Sequence, residues 1–426
     1  MKYYSTRNNK AYYSFRDALI YGLAKDGGLF VPETIPHLNL ESHLSFHEIA
    51  YIVSREFLDN EISNSQLYDF INNIFTFSSS LVQLDSVLSV LELFHGPTLA
   101  FKDFGARFMA ELMSYYSQKE QLQITVLVAT SGDTGSAVAN AFYKKKGIKV
   151  YILYPSKKVS EIQEKQLTTY DDNIKALEIL GTFDDCQRLV KSIFMDDEIR
   201  NKINLASANS INIARLFPQT FYYLDTMLKL LKSNALFVVP SGNLGNLTAG
   251  LYAKKMIDSK FNFIAALNSN NVFQEYLQTG RYFQKETIQT ISNAMDVGNP
   301  SNIERINDLY MNNLELIKRE VKAFSVSDRQ TKSAITECFE KNNYILDPHG
   351  AVGYSAIKQL GLDKTYQSII LLETAHPSKF IDVVEENINA KVIIPERLQA
   401  NFSKPKKSII LSNKFQDLKE YLLDDK

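Results

Sequence analysis

The chain has 426 residues, 45% of them hydrophobic and 22% charged, with 47 basic side chains set against 48 acidic ones. That length exceeds what one hydrophobic core organises, so two or three domains are expected. A formal net charge of -1 excludes a global field able to hold nucleic acid, and no apolar run is long enough to span a bilayer.

The N-terminal stretch MKYYSTRNNKAYYSF lacks an apolar core and a small-residue cleavage site, which argues against a secretory signal. Cys186 and Cys338 lie far apart with no Cys-x-x-Cys pair. This usage fits a reducing, cytoplasmic setting and gives no reason to expect disulfide staples or zinc. To about residue 85 the pattern predicts a mostly helical segment. Ser45-x-x-Glu48 reads as a capping box, with Phe46, Ile49, Ala50, Val53 and Phe57 following at helical spacing. Leu67, Phe70, Ile71 and Ile74 form a second stripe. His43 and His47 stand at i, i+4, but two ligands without a third do not make a metal site.

From about residue 86 short β-rich runs appear: Ile124–Ala129, Val150–Tyr154, Ala235–Val239, Phe263–Leu267 and Ser368–Leu372. Helical stretches alternate with them, Ser136–Lys146 and Leu247–Ile257 among them, and Ser327-x-x-Gln330 opens another helix through a capping box. Such alternation predicts an α/β protein with parallel sheets covered on both faces. The expected division is a helical part over 1–85, a smaller α/β domain over 86–205 and a larger one over 206–426.

In parallel α/β folds, ligands sit beyond the C-terminal ends of the strands. Two small-residue loops fall there. Ser131-Gly132-Asp133-Thr134-Gly135 follows one strand, and Ser241-Gly242-Asn243-Leu244-Gly245-Asn246 follows another; a helix pattern succeeds each. A helix N-terminus behind a tight turn offers free N–H groups and a favourable dipole to an anion. Neither loop is a P-loop or a dinucleotide turn. Taken singly, each reads equally well as a tight strand-to-helix connection.

A third segment, His95-Gly96-Pro97-Thr98-Leu99-Ala100-Phe101-Lys102-Asp103-Phe104-Gly105, follows the apolar run Val87–Phe94. Phe101 and Phe104 flank Lys102, and desolvation there would lower its pKa and expose a nucleophilic amine. On composition alone an exposed lysine on a loop leading into a helix over Ala106–Tyr116 is the more ordinary case.

This segment closely resembles the cofactor-lysine motif of the threonine synthase family, a group of fold-type II pyridoxal-phosphate (PLP) enzymes. Asp26-Gly27-Gly28-Leu29-Phe30-Val31-Pro32, Thr130–Gly135, Asn209-Ser210-Ile211-Asn212, Ser241–Gly250, Asp296–Asn302 and Thr374-Ala375-His376-Pro377 match the same family in order. The resemblance implies the tryptophan synthase β-like fold, with PLP held by Lys102 as a Schiff base. It places Ser241, Gly242, Asn243, Leu244, Gly245 and Asn246 around the cofactor phosphate and Thr374 opposite the pyridine nitrogen. It assigns Ser131, Gly132, Asp133 and Thr134 to the substrate α-carboxylate, where many fold-type II relatives carry Asn instead of Asp133. Asn209, Asn212 and Arg215 would lie near the substrate, and Arg215 reads equally as a phosphate ligand or as a structural arginine. His349 and His376 are expected to shape loops.

The implied reaction converts O-phospho-L-homoserine and water to L-threonine and phosphate, by γ-elimination and β-addition of water, in a monomer or homodimer with no nucleic-acid or membrane partner. A phospholyase releasing a 2-oxo acid and ammonia is the nearest rival. Serine/threonine dehydratases differ, with Ser-x-Lys at the lysine where this chain has Phe101-Lys102-Asp103. A silent binding homologue would be expected to have lost Lys102 or a loop, and neither is lost.

Overall fold

A computed structural model of the chain describes residues 1–58, 62–230 and 235–425. Near the N-terminus, tyrosines stand in two pairs, Tyr3-Tyr4 and Tyr12-Tyr13, and aromatic residues suit strands. Strands β1 (Tyr3–Ser5), β2 (Asn8–Tyr13) and β3 (Phe30–Pro32) form an antiparallel sheet in the order β2-β1-β3, with Ser5 opposite Asn8 across a tight hairpin. Residues 1–85 thus hold a small sheet that the expectation of a mostly helical segment did not include. Helices Phe15–Tyr21, Phe46–Leu58 and Asn64–Ile74 are present, but this small sheet shares the segment with them. Its strands are too short and too polar outside to announce themselves by hydrophobic periodicity. The Ser45–Glu48 capping box is formed, with Ser45 N–H donating to Glu48 Oε2 at 2.8 Å and Glu48 N–H to Ser45 Oγ at 3.3 Å.

The rest of the chain contributes β4 (Ser80–Gln83), β5 (Leu88–Glu92), β6 (Ile124–Ala129), β7 (Ile148–Pro155), β8 (Ile174–Leu180), β9 (Asn204–Ser207), β10 (Ala235–Pro240), β11 (Asn262–Leu267), β12 (Val321–Ser325), β13 (Ser368–Glu373) and β14 (Ile409–Ser412). They build a six-stranded sheet, β12-β11-β10-β13-β5-β4, and a five-stranded sheet, β14-β8-β7-β6-β9. Every pairing in the two sheets is parallel except that of β4 with β5. The runs expected at Ile124–Ala129, Val150–Tyr154, Ala235–Val239, Phe263–Leu267 and Ser368–Leu372 all fall inside these strands.

Each central strand is apolar on both faces because helices cover both. Along β10, Phe237 and Val239 enter the large core shared with the N-terminal helices, while Leu236 and Val238 enter the core beneath the C-terminal helices. Along β6, Val126 and Val128 face the shared core and Leu127 and Ala129 face the other side. Each such Val, Leu or Phe side chain contributes roughly 1.5–3 kcal/mol on burial.

Sheet membership does not follow contiguous segments. β5, from the 86–205 stretch, lies between β13 and β4 in the six-stranded sheet, and β14 returns from the C-terminal end to flank β8 in the five-stranded one. The expected boundaries at 85/86 and 205/206 missed these exchanges, because hydrophobic pattern reports that a strand forms and not which sheet accepts it. Among the described residues no helix is long and apolar enough to cross a membrane.

Candidate active site

Lys102 is the first residue of the helix Lys102–Lys119, so it sits on a rigid element and not on the loop before it. Asp103, wholly buried, folds that loop back: it accepts Thr98 N–H at 2.8 Å and Thr98 Oγ at 2.7 Å. Gly96 lies so close that a Cβ there would come within 2.4 Å of Asp103 Oδ2. Phe101 N–H donates to Thr374 O at 2.9 Å, tying the lysine helix to the end of β13.

The Lys102 side chain is 14% exposed. Burial pushes its amine down to about 8; Asp133 opposes this, while Lys379 and Arg215 push the same way. A position at the positive end of a helix also disfavours an ammonium. The amine is thus available in neutral form far more often than that of an exposed lysine.

Asp133, almost fully buried, begins the helix Asp133–Phe142 after the turn at Gly132, whose φ of 144° only glycine adopts readily. Its Oδ2 lies 3.9 Å from Lys102 Nζ, and its Oδ1 lies 2.6 Å from Lys379 Nζ and accepts Gln163 Nε2 at 3.0 Å. Burial alone would raise this carboxyl, yet the two lysines hold it well below the usual carboxylate range. Thr130 Oγ takes the N–H groups of Gly132 and Gly135, and those of Ser131, Asp133 and Thr134 have no protein acceptor among the described residues.

The second loop carries the larger set of free donors. Among the described residues, none of the backbone N–H groups of Gly242 to Leu247 has a protein acceptor. Leu244 adopts the left-handed conformation, φ 60°, immediately before the helix Gly245–Met256, which turns successive N–H groups toward one side. Gly242 could not carry a side chain, since a Cβ would lie 2.7 Å from Met295 Cα. The Asn246 amide oxygen accepts Tyr222 and Tyr223 hydroxyls at 2.7 and 2.9 Å, while its buried Nδ2 has no partner.

The Asn-Ser-Ile-Asn segment brings the pieces together. Asn209 Nδ2 donates to Ala129 O at 2.9 Å at the end of β6, and Ser210 Oγ receives Asn243 Nδ2 at 2.6 Å from the second loop. The expectation for Asn212 is corrected. Its amide donates to Leu19 O and Ser207 O and accepts Ala214 N–H as a helix cap, so it builds the segment and has no donor left for a substrate. Arg215 is buried, packs its backbone against Gly105, and donates through Nη1 to Ala208 O. Burial lowers its guanidinium to about 10, and its Nε has no partner.

Thr374 directly follows β13, and no protein partner is found for its hydroxyl among the described residues. Beneath it, wholly buried Asp347 accepts His349 Nδ1–H at 2.7 Å and Ala375 N–H at 2.9 Å, while His349 Nε2 accepts Ala294 N–H at 3.2 Å. His349 is thereby fixed as the Nδ1–H tautomer. His376 caps the turn Pro377–Phe380 by accepting Ser378 N–H at 3.1 Å. His376 shapes a loop, while His349 sits in the first turn of the helix Pro348–Gln359.

Lys379, Asp347 and Arg305 were absent from the sequence-based site. Asp347 could have been found, since Asp before Pro348 is a helix-start signal. Lys379 follows a matched motif by two residues, but nothing local marks it as buried.

The residues fit a phosphorylated pyridine aldehyde. Six free N–H groups and an unpartnered buried Asn246 amide suit a phosphate, the uncommitted Thr374 hydroxyl suits a ring nitrogen, and Lys102 supplies the amine. No group of three or more metal-ligating side chains occurs among the described residues.

Comparison with known proteins gives the same picture. Residues 76–372 match the family described as pyridoxal-phosphate dependent enzyme; residues 2–75 match the threonine synthase N terminus, and residues 350–422 the threonine synthase C-terminal family. A threonine synthase of Buchnera aphidicola is 39% identical over 433 residues, covering all of both chains. The crystal structure of threonine synthase from Escherichia coli superposes with a TM-score of 0.93 at 37% identity, covering 100% of each chain. PLP-bound threonine synthase from Brucella melitensis superposes with a TM-score of 0.90 at 33% identity, covering 99% of this chain and 98% of that one.

Proposed function

Because the chain belongs to the threonine synthase family of PLP-dependent enzymes, we propose that it converts O-phospho-L-homoserine and water to L-threonine and inorganic phosphate, with Lys102 as the catalytic lysine. The reading is carried by one convergence: a buried amine lies 3.9 Å from the first anion loop, and the Asn-Ser-Ile-Asn segment links that loop to a second with six free N–H groups.

When bound, PLP supplies the electron sink that acidifies the carbons of an attached amino acid. Lys102 would hold it and then carry protons at Cα, Cβ and Cγ, a task suited to an amine poised near the working pH. The N–H groups of Gly242 to Leu247, with Ser241 behind them, would hold its phosphate at the N-terminus of the helix Gly245–Met256. The Thr374 hydroxyl would face the ring nitrogen and, being no acid, would leave that nitrogen unprotonated. The N–H groups of Ser131, Asp133 and Thr134 would receive the α-carboxylate. Asn209 is held at the edge of that loop, and the unpartnered Nε of Arg215 is the donor we assign to the substrate phosphate.

The test is product analysis after incubating PLP-loaded protein with O-phospho-L-homoserine. Threonine and phosphate in equal amounts are expected. Phosphate with a 2-oxo acid and ammonia would instead make the chain a phospholyase.

A further inference from the structure

Asp133 poses an electrostatic problem for a loop that takes an anion. Its carboxylate stands in the same turn as the free N–H groups of Ser131, Asp133 and Thr134, at 3% exposure, where water screens little. A substrate bearing both a carboxylate and a phosphate would meet a like charge at close range. Lys102 offsets that charge only in part, because its Nζ stands 3.9 Å away.

Lys379 stands where a counter-charge is needed. It lies in the turn Pro377–Phe380 beyond β13, its side chain is 0% exposed, and its Nζ lies 2.6 Å from Asp133 Oδ1 and donates to Thr98 O at 3.0 Å. Gln163 Nε2 and Lys379 thus share Oδ1, which leaves Oδ2 toward Lys102. Thr98 also holds Asp103, so the same lysine connects the substrate loop to the start of the Lys102 helix. A lysine with no exposed surface is rare, and its desolvation is offset only if the pairing is maintained.

We propose that Lys379 is a positioning residue that neutralises Asp133, so that the Ser131–Thr134 loop accepts an anionic substrate and Lys102 stays out of a full ion pair. The inference rests on the function proposed above, since it specifies how that site tolerates its substrate. The charged groups around Lys102 are Asp133, Lys379, Arg215 and Asp347, and the His349 ring also faces Asp133. Lys379→Met removes one of the cations and leaves Asp133 to Lys102 alone. Asp133→Asn added to it removes the unbalanced anion.

The experiment compares wild type, K379M, D133N and D133N/K379M in two readouts. With PLP-loaded protein and O-phospho-L-homoserine, K379M raises KM by about 10- to 100-fold with a smaller change in kcat, and the double variant recovers most of that loss. In cofactor-free protein, reductive methylation of Lys102 followed by mass spectrometry against pH reports the amine itself. Its midpoint moves up in K379M and returns in the double variant. A merely structural lysine gives no recovery in the double variant, and that result, or an unmoved labelling midpoint, overturns the proposal. If K379M fails to fold, D133N against D133N/K379M decides: with no carboxylate to neutralise, loss of Lys379 then raises KM less than about threefold, and a larger rise overturns it. Absence of threonine from the wild-type reaction defeats the proposed function instead, and the labelling midpoint alone then judges Lys379.

Discussion

Arg305 Nε donates to the carbonyl of Phe30 at 3.1 Å, although the two residues are separated by 275 positions in the chain. The same wholly buried guanidinium donates to Ser210 O, to Ile211 O and to Asn302 Oδ1. Asn302 in turn donates to Asn243 O at 2.9 Å, and Ser301 N–H donates to Asn243 Oδ1 at 2.5 Å. One arginine therefore joins the N-terminal sheet, the Asn-Ser-Ile-Asn segment and the loop with the free N–H groups.

Arg305→Met keeps the length of the side chain and removes the donors. Four acceptors then lose a buried partner, so a destabilisation of about 3 kcal/mol is expected. Urea unfolding measures it, and a parallel titration of PLP should show weaker binding because the loop is no longer held. Unchanged stability would mean that other donors satisfy these carbonyls.

Lys102→Ala removes the amine that begins the helix Lys102–Lys119 beside the Ser131–Thr134 loop. Turnover and the visible absorbance of covalently held PLP should both vanish. The thermal midpoint of the cofactor-free protein should fall by no more than a few degrees, because the polar and ring contacts of the side chain among the described residues are an ion pair at 3.9 Å and one with the Phe101 ring. A variant that retained turnover would strip Lys102 of its role.

Gly242→Ala tests the second loop through backbone alone. The new Cβ would meet Met295 Cα at 2.7 Å and Met295 O at 3.0 Å, and backbone cannot step aside as a flexible side chain would. A loss of about 1–3 kcal/mol in stability is expected. The PLP dissociation constant should rise at least about tenfold, measured by fluorescence titration, since the displaced N–H groups can no longer converge. Tight PLP binding in this variant would locate the phosphate elsewhere.

Much of this architecture could be read from local pattern, for identifiable reasons. Strands such as Ile124–Ala129 are apolar at every position because both faces are covered, and that signature needs no knowledge of neighbours. The Ser45 and Ser327 capping boxes are equally local, and both form. The loops at Ser131 and Ser241 stood out because small residues between a strand and a helix have a geometric meaning. What stayed hidden depends on distant partners. Nothing near Lys379 says that Asp133, far back in the chain, will bury it, and nothing near Asn212 says that Leu19 O will take its amide. Sheet membership of β5 and β14 is likewise decided by the competition of edges in space.

The two thiols illustrate burial without function. Cys186 and Cys338 are wholly buried, and desolvation pushes both up to about 12. Thiolate is the reactive form, so neither should be alkylated by iodoacetamide in the native protein at neutral pH. Mass spectrometry before and after denaturation checks this: modification should appear only after unfolding.

The amine of Lys102 sets a pH window that differs from that of an ordinary lysine. Its folded value of about 8 lies below its ordinary 10.5, so between these limits the unfolded chain binds more protons than the folded one. The sign follows directly: this group makes folding more favourable as pH rises from about 8 toward 10.5, and below 8 its buried ammonium is a constant penalty. For chemistry, the neutral fraction climbs about tenfold between pH 7 and pH 9 and then saturates. The initial rate of PLP attachment to cofactor-free protein should follow that curve and level off above pH 9. An exposed lysine would keep gaining until above pH 10, so a rate still rising there would show that burial does not tune Lys102.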